Sequence, residues 1–207
     1  GDVCAAAGQK LFIAATNVRT GRVRVFSGDD VTTDAILASA CLPTLFQAVE
    51  IDDPATGRRE AYWDGGYMGN PPIFPIFYST KLADIMLVQI NPIERDELPR
   101  TARDIDNRLN EITFNSSLLR ELRAIRFVKR LLEGGAVAKG SMKHVLVHMI
   151  ADDALMNNLN VATKTIPTPV ILARLKAAGQ AAADAFLAEH KASLGKQSTV
   201  DLTAMFS

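Results

Sequence analysis

Strands interleaved with long helices predict an α/β protein. Two short apolar runs, Leu11-Phe12-Ile13-Ala14-Ala15 and Asp84–Ile90, have the look of buried strands. Thr101–Glu133 and the segment opened by Thr168-Pro169 read as long helices. The continuous apolar character of Asp84–Ile90 implies a sheet covered on both faces, the usual setting of parallel strands.

The elements follow in order. Leu11–Ala15 and the alternating Arg22-Val23-Arg24-Val25-Phe26 form a hairpin across the turn residues Asn17–Gly21. Thr33 caps a helix through Asp34, Ile36, Leu37 and Ala40, and Pro43 marks its end. Asp52–Gly57 is a turn, and Arg59–Trp63 returns as a strand into Asp64. Asn70-Pro71-Pro72 and Pro75 force an irregular, extended segment. Asn91-Pro92 closes the Asp84 strand, and Gly134-Gly135 stops the helix begun at Thr101. Val145–Ile150 is a further strand, and Asn157–Lys164 is polar loop. Thr168 is an N-cap with Pro169 at the first helical position. The last helix carries Ile171, Leu172, Leu175, Ala178, Phe186 and Leu187, with Gly195 as its stop. Four or five strands are few for a doubly covered sheet.

Composition narrows the function. The 207 residues are 48% hydrophobic and 22% charged, ordinary for a globular domain. Twenty-three basic residues balance 23 acidic ones, so no overall field draws the chain to nucleic acid or anionic membrane. Cys4 and Cys41 make no disulfide framework and read as reduced thiols, which fits a cytoplasmic protein. No apolar run reaches the ~20 residues a membrane span needs.

Tyr62-Trp63-Asp64-Gly65-Gly66 is the strongest candidate for chemistry. It sets a carboxylate at a strand end, beside glycines that reach backbone angles closed to other residues and that let a substrate approach. Ionised, Asp64 accepts a proton from a nearby hydroxyl nucleophile. Taken alone, Asp-Gly is also a common hairpin turn. His144 and His148 are four apart on a strand, ~13 Å at ~3.3 Å per residue, too far for one ion. No other group has metal-ligand spacing, so neither metal nor cofactor is expected. Arg120, Arg123, Arg126 and Arg130 share one helix side opposite Leu118, Leu122, Ile125 and Leu132. That is an ordinary solvated face or a surface for anionic lipid headgroups.

Ala38-Ser39-Ala40-Cys41-Leu42-Pro43-Thr44-Leu45-Phe46, a short hairpin, Tyr62–Gly66 and Asn70-Pro71-Pro72 together resemble the patatin-like phospholipase family. Leu11–Ala15 with Thr16-Asn17 matches the segment that precedes them. Gly179, Ala181–Ala183, Phe186-Leu187, His190, Leu194-Gly195 and Ser198–Leu202 are similar to the tail of its bacterial members. The likeness is strongest over Leu11–Pro75 and weak over Thr101–Lys139. It implies a patatin-like layered fold, a mostly parallel central sheet covered by helices, in one domain over residues 1–207 with 168–207 as a C-terminal helix and tail.

The resemblance further implies a lipid acyl hydrolase with a Ser–Asp dyad. Asp64 matches the dyad carboxylate, Gly65 and Gly66 adjoin the substrate, and the partner is a lipid or acyl ester, with peripheral contact at a membrane. The family's serine sits in a G-x-S-x-G elbow, whose tight turn needs the glycines. Ser27, Ser39 and Ser141 do not fit it. The simplest reading is a C-terminal portion of such a domain, with the nucleophile carried by another segment or chain. Alone, these residues should then be inactive, and a face of Asp84–Ile90 or Leu11–Ala15 should be uncovered. The alternatives are a non-catalytic lipid- or protein-binding module and acyl transfer to an acceptor other than water.

Overall fold

The computed structural model describes residues 8–138, 140–159 and 168–207. Cys4 and most of the expected Asn157–Lys164 loop lie outside the described residues. The chain divides into two compact units. One runs to Ser79 and adds Thr113–Glu121; the other holds Thr80–Ile112 and Leu122–Ser207.

The first unit is built on β1 (Phe12–Asn17), β2 (Val23–Ser27), β3 (Val49–Asp53) and β4 (Arg58–Asp64). They form an antiparallel sheet in the order β2-β1-β4-β3. Gly21 and Gly57 take positive φ in the two hairpin turns, where a side chain would be strained. Helix α1 (Thr33–Ser39) buries Ala35 and Ala38 in a core with Ala15, Phe26 and Tyr62. Its cap is Thr32 rather than Thr33: the Thr32 hydroxyl accepts from Ala35 N at 3.2 Å.

A buried polar cluster fixes these strands. Arg24 Nε and Nη2 both reach the buried Asp53 carboxylate at 2.9 Å. The Tyr62 hydroxyl donates to the same carboxylate. The Arg24 hydrogen bonds, ahead of Tyr62's, hold the Asp53 pKa down at about 2. Burial, then the Asp53 bond, pushes Tyr62 up to about 12.

The segment expected to be irregular contains α2 (Phe74–Ser79). Pro75 starts this helix instead of preventing it, because first-turn N–H groups have no intrahelical partner to lose. The N–H groups of Ile73 and Phe74 go to Glu121 of α3 (Ala102–Glu133), which the Thr101 side chain caps.

The second unit pairs β5 (Asp84–Gln89) with β6 (Leu146–Ala151) in parallel. Two short helices, α4 (Asp153–Asn157) and α6 (Leu202–Met205), flank α5 (Pro169–His190) in the sequence. Parallel pairing among the described residues is confined to β5 and β6, so a mostly parallel sheet is not what forms. The reason lies in the connections: tight turns return β2 on β1 and β4 on β3 antiparallel, and β5 and β6 run parallel across the connection that contains α3.

One face of β5 is uncovered. Ile85 and Leu87 are buried, whereas Val88 is 70% and Ile90 64% exposed. Helix α3 buries Leu118, Leu122 and Ile125, as its pattern suggests. Opposite them, Arg126 Nη1 donates to Phe206 O at 3.0 Å, and the Arg123 guanidinium lies 5.0 Å from the Phe206 ring centre. Two of the four arginines are thus engaged by the chain's own C-terminus.

Candidate active site

Asp64 ends β4, paired across the ladder with Ala15 of β1. Three backbone or near-backbone bonds fix it. Its N–H donates to Cys41 O at 2.9 Å. Its carbonyl accepts from Thr16 Oγ1 at 2.8 Å. Its Oδ1 accepts from Gly66 N at 2.7 Å, which caps the 3-10 turn Gly65–Tyr67. Among the described residues no side chain pairs with the carboxylate. Partial burial, opposed by the Gly66 bond, leaves its pKa above the ordinary range. A carboxylate with a raised pKa and one anchored oxygen is suited to take up a proton and release it again.

The glycines are required for a different reason from the one expected. Neither adopts positive φ. A Cβ on Gly65 would collide with the Ala14 carbonyl of β1, and one on Gly66 with the Phe114 ring. The chain itself packs against both positions.

The turn after Asp64 rests on α3. The Tyr67 and Phe114 rings are 5.3 Å apart. Asn70 N donates to Ser117 Oγ at 2.9 Å, and Asn70 Nδ2 to Phe114 O at 3.3 Å. Ile73 N donates to both Glu121 oxygens at 3.0 Å. Burial raises the Glu121 pKa, against the hydrogen bonds from Ile73 and Phe74. Sequence reasoning missed these residues. Ser117 follows Asn70 by 47 positions, and nothing local to either announces the pair.

Residues 7–77 match the family model of patatin-like phospholipase. That family is a hydrolase family, and the match bears out the likeness read from Leu11–Pro75. It includes Asp64, Gly65 and Gly66 and ends before β5, so the likeness of the tail lies outside it. No curated protein matches the chain.

Among the described residues of the patatin-like segment no hydroxyl bonds the Asp64 carboxylate. Ser39 Oγ donates to Ile36 O at 2.7 Å within α1, as expected of a helix residue. In the other unit Ser141 Oγ is bonded to Ala138 O. Cys41 is a free, buried thiol 3.0 Å from Gln47 O, its pKa raised by burial.

Two clusters in the second unit have functional chemistry by type. The first is a hydroxyl–imidazole–carboxylate row. His148 Nδ1 lies 3.2 Å from Thr199 Oγ1 and Nε2 lies 2.9 Å from Asp84 Oδ1. His148 is fully buried. The Thr199 and Val200 N–H groups both bind Val147 O, so neither is available to a developing oxyanion. The row clasps the C-terminal segment to β6, which fits a structural His148.

The second is a cavity of about 240 Å³ lined in part by Arg95, Arg103, Asn107 and Arg108. Arg95 pairs with the buried Glu111 at 2.7 and 2.8 Å, and Arg108 donates to the same glutamate and to Ile93 O. Those cations are committed to the protein's own acceptors. No helix among the described residues is long and apolar enough to cross a membrane.

Proposed function

We propose that Asp64 is the carboxylate of a Ser–Asp dyad in a lipid acyl hydrolase, acting on a phospholipid or related acyl ester. The observation that carries this is the Asp64 carboxylate itself: partly buried, anchored through one oxygen by Gly66, without a cation among the described residues, and inside the patatin-like match. The nucleophile comes from a segment or chain other than these residues, because no serine here stands in a G-x-S-x-G elbow.

In this reading Asp64 takes the serine Oγ proton as Oγ attacks the ester carbonyl. The proton passes to the leaving alcohol, which departs and leaves an acyl-serine. Water then attacks the acyl carbon while Asp64 takes its proton, and that proton returns to serine Oγ as the acid is released. Gly65 and Gly66 hold Asp64 in place, and their contact with substrate is through backbone. The site works at a membrane surface or on dispersed lipid, inside the cytoplasm.

The test is ester hydrolysis by the full-length protein. Asp64→Asn should abolish turnover, and wild-type activity in that variant would refute the role. The 207-residue chain alone should be inert. Robust turnover blocked by a serine-reactive phosphonate would show that it holds its own nucleophile.

A second reading, a binding module without catalysis, draws on the uncovered Val88–Ile90 face of β5. It requires that the full-length protein lack an elbow serine and leave acyl esters intact.

A further inference from the structure

Helix α3 touches the turn after Asp64 at three points in regular succession. Phe114, Ser117 and Glu121 stand at i, i+3 and i+7, the spacing of one helix face. Each holds a different part of residues 66–74. Phe114 closes on Gly66 and Tyr67, Ser117 accepts from Asn70 N, and Glu121 accepts from Ile73 N.

The chain of contact is short. Gly66 donates the one hydrogen bond to the Asp64 carboxylate among the described residues. Its position is limited by the Phe114 ring on one side and, through the following turn, by the bonds at Asn70 and Ile73. A carboxylate anchored by a single donor rotates freely once that donor moves, because a χ2 torsion at an sp² centre is only softly restrained.

We propose that the Phe114–Ser117–Glu121 face of α3 is a positioning element that fixes the Asp64 carboxylate through the Gly66 N–H. This rests on the reading of Asp64 as the working carboxylate. The three residues touch neither substrate nor the reacting atoms; they act through the turn. Glu121 matters most, since its carboxylate takes both backbone donors at the start of α2. Without it those donors lose their acceptor and the turn has no anchor at its far end.

Amide hydrogen exchange of the full 207-residue chain tests this without any catalytic assay. In Glu121→Ala and Ser117→Ala, Gly66 N–H should exchange about tenfold faster or more, while amides of the β1–β2 hairpin stay within about twofold. Glu121→Gln and Ser117→Thr keep an acceptor in place and should restore Gly66 protection. Unchanged Gly66 exchange in alanine variants that retain hairpin protection would overturn the proposal. So would a uniform rise at every amide, which would make the face a general stabiliser. If Glu121→Ala does not fold, Ser117→Ala, which removes one hydroxyl, decides the matter. Full activity of Asp64→Asn would instead refute the catalytic reading and leave the exchange result standing.

Discussion

Asp64 and Asp84 are both aspartates at strand ends, and the molecule treats them oppositely. Asp64 closes β4 with one backbone donor, from Gly66 at 2.7 Å, and sits partly out of water. Asp84 opens β5 with a backbone donor from Gly195 at 2.7 Å and the His148 ring at 2.9 Å. Burial wins at Asp64 and raises its pKa. Hydrogen bonds win at Asp84, Gly195 first and His148 second, and lower it. The first is under-paired for its degree of burial, and the second is satisfied. A carboxylate kept under-paired is the better candidate for moving a proton, and the satisfied one is a structural clasp.

The largest expected effect sharpens that contrast through activity. In the full-length protein, Asp64→Asn should lower kcat by about 10²–10⁴-fold, the span of a lost general base. Asp84→Asn should leave kcat within about threefold, since surface and clasp substitutions act mainly on stability. Equal losses in the two variants would erase the distinction.

Packing gives the next effect. Gly65→Ala should destabilise by about 3 kcal/mol or more, because a backbone carbonyl of β1 cannot move aside. Gly66→Ala should lose about 1–3 kcal/mol, less in a Phe114→Ala background where the ring is gone. Denaturant melts of the four proteins measure the coupling, and simple additivity would argue against the Phe114 contact.

Acid titration breaks the comparison most directly. The folded pKa of Asp64 is raised, so the folded state binds the proton more readily than the unfolded chain. Ionised Asp64 therefore weakens the fold above its folded pKa, and that penalty disappears as pH falls below the unfolded value of about 4. Asp64→Asn should raise Tm at pH 7 and lose this gain on acidification. Asp84 is depressed, so its contribution is present above about 4 and is lost as pH falls through its folded pKa. Asp84→Asn should lower Tm at pH 7, with the deficit closing in acid. Thermal melts from pH 3 to 7 should give difference curves of opposite sign.

The smallest effect lies on the basic side of α3. Phe206→Ala removes the ring beside Arg123 and should lower stability by about 0.5–1 kcal/mol at that exposed site. No change in the melting curve would mean that the contact contributes nothing.

Much of this could be read along the chain. The two hairpins follow from turn residues at Asn17–Gly21 and Asp52–Gly57, and the cap at Thr168 from a side-chain oxygen beside Pro169 and apolar periodicity. Asp64 was legible from its strand and from the flanking likeness. Pro75 was misread because its neighbour Glu121 is remote in sequence: a proline in a first turn looks the same as one that breaks a helix until its cap is known. The parallel direction read from Asp84–Ile90 is that of β5 and β6, whereas the extent of the sheet was not legible, because an apolar run records burial and not the number of its partners.

The sequence by itself determined where the carboxylate stands, which turns return the chain and where the two long helices begin, because these depend on residues a few positions apart. Tertiary structure decided the proton affinity of Asp64, the reason for glycine at 65 and 66, and the support from Phe114, Ser117 and Glu121. Each of those is a sum over neighbours brought together from distant positions. Burial, donor count and excluded volume have no local signature, so the chain had to fold before Asp64 and Asp84 could be told apart.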